Sequence, residues 1–138
     1  MKFGFDYHGV ADTHQDVYGA ITRALLDAGH EVHIITGYQP NFGVTTDLTA
    51  SGIVWTHWFS IVQYHIDLGE YPVEFRDGKP WLDGEVWDRE KAEYCEREGI
   101  AMLIDNSPSY GANFKGDCLF LLQKDQKSQH AWDILGKR

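Results

Sequence analysis

Apolar residues run along this chain in short stretches broken by glycine and polar turns, and three of the stretches share a form. Phe3 and Phe5 alternate with smaller residues until Asp6, and Gly9 follows almost at once. Val32-His33-Ile34-Ile35 ends in Thr36-Gly37, and Ala101-Met102-Leu103-Ile104 ends in Asp105-Asn106. Each reads as a buried strand that delivers a polar side chain at its carboxyl end, where an open α/β sheet gathers its chemistry. Asp16 to Ala28 has helical spacing. Val17, Ile21 and Leu25 fall on one stripe with Ala20, Ala24 and Ala28 beside it, Thr13 and Asp16 serve as start signals, and Gly29 is the stop. Strand, helix and strand within about 35 residues form a βαβ unit, which implies parallel strands and a right-handed crossover.

The pattern continues less regularly. Residues 38–46 read as a loop, with Pro40, Asn41 and Gly43; Thr46 to Ser51 reads as a short helix stopped by Gly52. Ile53-Val54-Trp55 is a candidate strand, and Ser60 to Leu68 a helix ended by Gly69. Pro72 to Leu82 carries the clearest hairpin signal. Val73 and Phe75 alternate, Asp77-Gly78 makes the turn, and Trp81 and Leu82 return. Trp87 to Glu98 is a helix with Asp88 as cap and Gly99 as stop, leading into a central strand Ile100 to Ile104. Ser107 to Phe114 is a turn and short helix. Cys118 to Leu122 is continuously apolar and so predicts a buried strand. The predicted fold is α/β, a Rossmann-like three-layer arrangement with a mainly parallel sheet and a small β-hairpin insert. Residues 1–122 make one domain, the insert spans about 70–84, and 123–138 form a polar tail. Within that tail Gln129 to Leu135 can form an amphipathic turn through Ala131, Trp132 and Ile134.

Composition narrows the class. The length of 138 residues suits one domain with a real core, and 43% hydrophobic with 24% charged residues is an ordinary globular balance. A net charge of -9 argues against non-specific binding to nucleic acid or to an anionic membrane, while leaving room for a locally positive phosphate pocket. Cys95 and Cys118 show no paired metal spacing and no CxxC, and their apolar settings predict buried, reduced thiols. No apolar run approaches the ~20 residues of a membrane span, and the amino terminus reads as a strand rather than a leader. A protein of the reducing cytoplasm is expected, with homo-oligomerisation through the insert or the tail as an open possibility.

The strand ends suggest a chemistry. Two carboxylates brought to one sheet edge repel unless a cation sits between them, and a hard cation with oxygen ligands such as Mg²⁺ is the natural occupant. One carboxylate can then attack phosphorus as a nucleophile. The Thr36 hydroxyl and the backbone N–H groups of the Thr36-Gly37 turn can reach phosphate oxygens, and Lys91 is the candidate fixed positive charge. Lys91 falls in the first turn of the predicted helix Trp87–Glu98, where the macrodipole disfavours a cation by roughly 0.3–1 kcal/mol, so a facing anion would account for it. The competing reading is an exposed lysine among Arg89, Glu90 and Glu93. The seven histidines give no zinc-like spacing. His30 and His33 read as surface or half-buried, His57 and His65 are too loosely spaced for a ligand pair, and His14 reads as a loop residue, with a place at the pocket mouth as the alternative. Trp55, Trp58 and Trp81 read as a small core for the insert, with an aromatic wall for a substrate as the alternative, and Tyr110 reads as core, with packing over the site as the alternative.

Four of these segments together resemble the haloacid dehalogenase superfamily over roughly residues 1–122. Asp6-Tyr7-His8-Gly9-Val10 is similar to its first motif, usually written DxDG[TV] after an apolar strand. Ile34-Ile35-Thr36-Gly37 is similar to its second, Lys91 to its third, and Leu103-Ile104-Asp105-Asn106 to its fourth. The resemblance implies a Rossmann-like sheet, a minimal cap, and a Mg²⁺-dependent phosphatase working through an aspartyl-phosphate. It implies Asp6 as nucleophile, Thr36, Gly37 and Lys91 as phosphate ligands, and Asp6, Asp105 and the backbone carbonyl of His8 as metal ligands. Two positions depart from the pattern. His8 replaces the aspartate that serves as general acid and base, a task an imidazole with a pKa of about 6.5 can take over near neutrality. Asn106 replaces the second acid of the fourth motif and can ligate through its carbonyl or through water. The variant motif therefore supports two expectations: a retuned phosphatase for a small phosphomonoester, or a catalytically weak protein of the same fold that binds metal or phosphate in a regulatory or assembly role.

Overall fold

Five parallel strands make one sheet in the computed structural model, which describes every residue except 38, 40, 41, 70–73, 77, 78 and 125–138. They are β1 (Lys2–Phe5), β2 (Glu31–Thr36), β3 (His57–Ser60) and, after two short strands β4 (Glu74–Arg76) and β5 (Lys79–Trp81), β6 (Met102–Asp105) and β7 (Leu119–Leu122). The spatial order is β3-β2-β1-β6-β7. The chain builds outward from β1 to β3, then returns to lay β6 on the other side of β1. The order therefore reverses between β1 and β6, and a crevice opens beyond their carboxyl ends. Helices α1 (Gln15–Asp27), α2 (Phe42–Ala50), α3 (Ile61–Leu68), α4 (Gly84–Glu98) and α5 (Pro108–Gly111) complete the element order. Alternation along the strands divides the core in two. Phe5, Val32 and Ile34 pack with Tyr18, Leu48 and Ile53, whereas Ile35 and Leu103 pack with Tyr94, Cys95 and Ile100. A parallel sheet with apolar clusters on both faces is an α/β fold consistent with the Rossmann-like class.

Helix α1 turns a different face to the core from the one its apolar stripe predicts. Val17 and Ile21 are exposed, as are Ala20, Ala24 and Ala28, while Tyr18, Gly19 and Thr22 are buried and Leu25 is half-buried. The cause is a close backbone approach. A Cβ on Gly19 would lie 2.8 Å from the Ser51 carbonyl oxygen, so the helix sits directly on the turn that ends α2. Thr22 Oγ1 donates to the Tyr18 carbonyl (2.7 Å) and accepts from Val54 N (3.2 Å), tying helix to loop. Gly19→Ala gains about 1 kcal/mol of helix propensity but drives a methyl into a backbone oxygen, an overpacking that costs ~1–3 kcal/mol. Net destabilisation is expected, read as a lower denaturant midpoint with unchanged m-value.

Several boundaries move for related reasons. Helix α2 begins at Phe42 rather than Thr46. Residues 53–55 form no strand. Ile53 is buried in the first core, the Val54 N–H is taken by Thr22, and sheet pairing starts where Thr56 N donates to the Val32 carbonyl (2.8 Å). β3 then runs in register with β2, from His33 opposite His57 to Thr36 opposite Ser60. Ser60 also caps α3 by accepting from Gln63 N (3.1 Å), and Gly69 closes that helix at φ 65°. Helix α4 starts at Gly84 because Asp83, not Asp88, is its cap, accepting from Glu85 N (3.0 Å).

β4 and β5 pair antiparallel, Glu74 opposite Trp81, while Pro72, Val73 and the predicted turn Asp77-Gly78 lie outside the described residues. Trp55 and Trp58 pack edge to face against the first core rather than with Trp81, which is exposed, as is Phe75. No insert core of those three tryptophans forms. The strand next to the sheet's centre is β6, with β1 itself central, and β7 is an edge strand rather than a buried one. Leu119 (63%) and Leu121 (46%) are exposed, whereas Phe120 turns inward onto Phe114. Cys95 is buried as expected, but Cys118, just before this edge, is only half-buried. The tail segment Gln129 to Leu135, with Trp132, lies outside the described residues. Among the described residues, no helix is long and apolar enough to cross a membrane.

Candidate active site

The first strand leaves the sheet through an unusually wide turn. Asp6 N still pairs with the Ile104 carbonyl (3.0 Å), holding it level with the end of β6. Its own carbonyl accepts from Ala11 N (3.2 Å), five residues on, and the Tyr7 carbonyl accepts from Asp12 N (3.2 Å). Gly9 sits inside this turn at φ 83°, a conformation that favours glycine, and its N–H donates to Asp12 Oδ1 (2.7 Å). Asp6 is thereby fixed at the mouth of the crevice with His8 beside it.

On the neighbouring strand Asp105 is fully buried, and its two carboxylate oxygens have separate partners. Oδ1 accepts from Ser107 N (3.0 Å) and Oδ2 from Lys91 Nζ (2.6 Å). The same ammonium donates to Asp6 Oδ1 (3.0 Å), so one lysine, 1% exposed, bridges two acids that are 85 and 14 residues away in sequence. Lys91 lies in the middle of α4, the eighth residue from Gly84, not in a first turn. The macrodipole argument therefore does not apply to it, and nor does the exposed-lysine reading; the two carboxylates are what offset its burial. The Tyr110 ring lies 4.4 Å from Nζ and adds a cation–π contact, and Trp87 Nε1 donates to the Tyr110 hydroxyl.

Two acids for one ammonium leave the cluster short of positive charge. Burial, and then Asp105, push the Asp6 carboxyl up to about 7 against the pull of Lys91. For Lys91 burial works downward, but the paired carboxylates outweigh it and the ammonium is held above its ordinary value. Burial also pushes the Tyr110 phenol up to about 12, so it is a neutral donor and acceptor near pH 7.

A cleft of about 300 Å³ opens on this cluster, and Asp6, His8, Thr36, Gly37, Lys91 and Asn106 line it. Asp105 lies beneath, behind Lys91. Thr36 and Gly37 arrive from β2. A Cβ on Gly37 would lie 2.4 Å from the Trp87 ring, so only glycine lets that ring close the wall of the cleft. The His8 ring is half-exposed, packs edge-on against Tyr7, and has Asp12 Oδ2 at 3.8 Å from Nδ1. All seven residues singled out by their strand ends and by motif thus meet at one place. Trp87 and Ser107 were not assigned to the site from sequence, and Tyr110, read first as core, takes the alternative place over the site. Ser107 and Tyr110 follow Asp105 within one short turn, and that nearness was the available signal.

The other described histidines fall elsewhere. His14 is exposed and outside the cleft. His65 is buried, with Nε2 3.2 Å from Glu90 Oε1, and His33 is buried rather than at the surface. His30 meets the amino terminus, Met1 N lying 2.9 Å from its Nδ1. Comparison with known proteins adds no relative: no family model matches the chain, and none of the curated proteins does.

Proposed function

We propose that the chain is a Mg²⁺-dependent phosphomonoester hydrolase of the haloacid dehalogenase kind, with Asp6 as nucleophile. The observation that supports this most is the pair of buried acids on adjacent strands, joined through one lysine and open on one side to a cleft lined by Thr36 and Gly37. An oxygen-only donor set with more carboxylate than ammonium suits a hard divalent cation, and Asp6, Asp105, Asn106 and the His8 carbonyl are the groups that would hold it. When bound, such an ion supplies positive charge that keeps Asp6 ionised and offsets charge on the transferring group.

The chain's own residues account for the rest. The Asp6 carboxylate attacks phosphorus and the bond from phosphorus to the ester oxygen breaks. The departing oxygen takes a proton from the His8 imidazolium. Water then attacks the phosphorus of the aspartyl-phosphate, giving its proton to His8 and releasing inorganic phosphate and free Asp6. Thr36, the Gly37 N–H and Lys91 hold the phosphoryl oxygens, and Asp12 orients the His8 ring.

The test is hydrolysis of an aryl phosphate by the full chain with and without Mg²⁺. Turnover that requires Mg²⁺ is expected, and His8→Ala should lower kcat by ~10²–10⁴ while leaving Mg²⁺ affinity nearly unchanged. Mg²⁺ binding without turnover on a broad panel of phosphomonoesters would favour the regulatory, catalytically weak reading instead.

A further inference from the structure

At the opposite end of the sheet, β2 and β3 bring together residues that are remote in any spacing rule. Glu31 and His33 are two apart on β2 and so share a face, and His57 is the direct cross-strand partner of His33. One ligand atom from each of the three lies within 4.8 Å of the other two. Glu31 Oε1 is 3.4 Å from His57 Nδ1 and 3.8 Å from His33 Nε2. A tetrahedral zinc with bonds of about 2.0–2.1 Å holds its ligands roughly 3.4 Å apart, so the two carboxylate–imidazole separations already match to within tenths of an ångström, and the imidazole pair, within 4.8 Å, closes the rest by rotation of the His57 ring.

His33 supplies an independent reason to expect a ligand there. The ring is 1% exposed, its Nδ1 is engaged by the Tyr94 hydroxyl at 2.7 Å, and its Nε2 is buried without a hydrogen bond. A buried ring nitrogen with no partner is costly, and this one points toward Glu31 and His57. Fixing Nδ1 on a hydroxyl while Nε2 stays open is also how metal-binding imidazoles are oriented. The His57 ring stacks on His33 at 4.3 Å and is half-exposed, and its Nδ1 lies 2.9 Å from Thr56 Oγ1, a contact that a turn of the ring would exchange for a shared ion. The Lys2 ammonium, 3.7 Å from Glu31 Oε2, is the competing cation, and it sits on an exposed side chain able to swing away.

We propose that Glu31, His33 and His57 form a second metal site, for a borderline transition ion of the zinc class, with a fourth position open to solvent. Two imidazoles and one carboxylate select Zn²⁺ over Mg²⁺. The site is remote from the cleft, since His33 to Thr36 along β2 spans ~10 Å. The ion would tie the edge strand β3 to β2, a structural staple that leaves the Asp6 chemistry separate.

The experiment is calorimetric titration of Zn²⁺ into the full chain with millimolar Mg²⁺ present, comparing wild type with His57→Ala, Glu31→Gln and Asp6→Asn. One Zn²⁺ per chain at micromolar affinity or tighter is expected, with binding at least tenfold weaker in His57→Ala and in Glu31→Gln and unchanged in Asp6→Asn. Zn²⁺ should raise the melting temperature of wild type but not of His57→Ala. Because the replaced side chain is half-exposed, the metal-free melting temperature of that variant should stay within ~2 °C of wild type. Three outcomes overturn the proposal: no Zn²⁺ binding at these concentrations, equal binding in wild type and the two site variants, or loss confined to Asp6→Asn. None of these readouts depends on phosphatase turnover, so the two sites stand or fall separately.

Discussion

Asp6→Asn should abolish aryl phosphate hydrolysis, lowering kcat by at least ~10³-fold, because the amide cannot form the covalent intermediate. The same substitution should leave the fold intact. Asp6 is buried and its carboxyl is raised to about 7, burial being the largest cause. A folded value above the unfolded 3.8 means that ionised Asp6 costs stability, increasingly as pH climbs from about 4 toward 7, and not below. Asparagine has the same shape and no charge to bury, so that cost disappears. Lys91 keeps its shorter contact, to Asp105 at 2.6 Å. Urea melts at pH 7 should place the variant within about 1 kcal/mol of wild type, or above it. Activity that survives in Asp6→Asn would remove the nucleophile from the mechanism. A collapsed fold would mean that the Asp6–Lys91 contact is structural first.

The strand ends were legible because buried parallel strands read as apolar runs, and a polar residue that stops such a run stands out. Asp6, Thr36 and Asp105 could be named from that signal alone, and the two halves of the sheet follow from their order. What escaped is instructive in physical terms. The buried face of α1 is set by Gly19 and Thr22, where backbone meets backbone, and an apolar stripe carries no trace of such a contact. Ile53-Val54-Trp55 has strand-like residues, but Ile53 and Trp55 pack into the first core while Thr22 claims the Val54 N–H that a ladder would need. β7 reads as buried because five apolar residues adjoin, yet its place at the sheet edge is a property of topology. Glu31, His33 and His57 were missed because ligand-spacing rules follow one chain segment, whereas cross-strand register unites residues 24 positions apart.

Lys91 was identified for a reason that proved inapplicable, and its actual setting leads to a stronger test. Lys91→Met should destabilise the protein by ~3–5 kcal/mol, since removing one partner of a buried ion cluster leaves the other charges uncompensated. For a chain of this size that corresponds to a melting temperature lower by roughly 10–20 °C. Two controls separate the electrostatic cause from loss of packing. Lys91→Met combined with Asp105→Asn should be more stable than Lys91→Met alone, because it removes the acid left without its closest cation, and the double-mutant cycle reports that coupling. Millimolar Mg²⁺ should raise the melting temperature of Lys91→Met more than that of wild type, as a divalent ion replaces the missing positive charge between Asp6 and Asp105. A Lys91→Met protein as stable as wild type, or one indifferent both to Mg²⁺ and to the second substitution, would show that the two acids do not depend on a shared cation. The chemistry proposed for the cleft would then lose its electrostatic foundation.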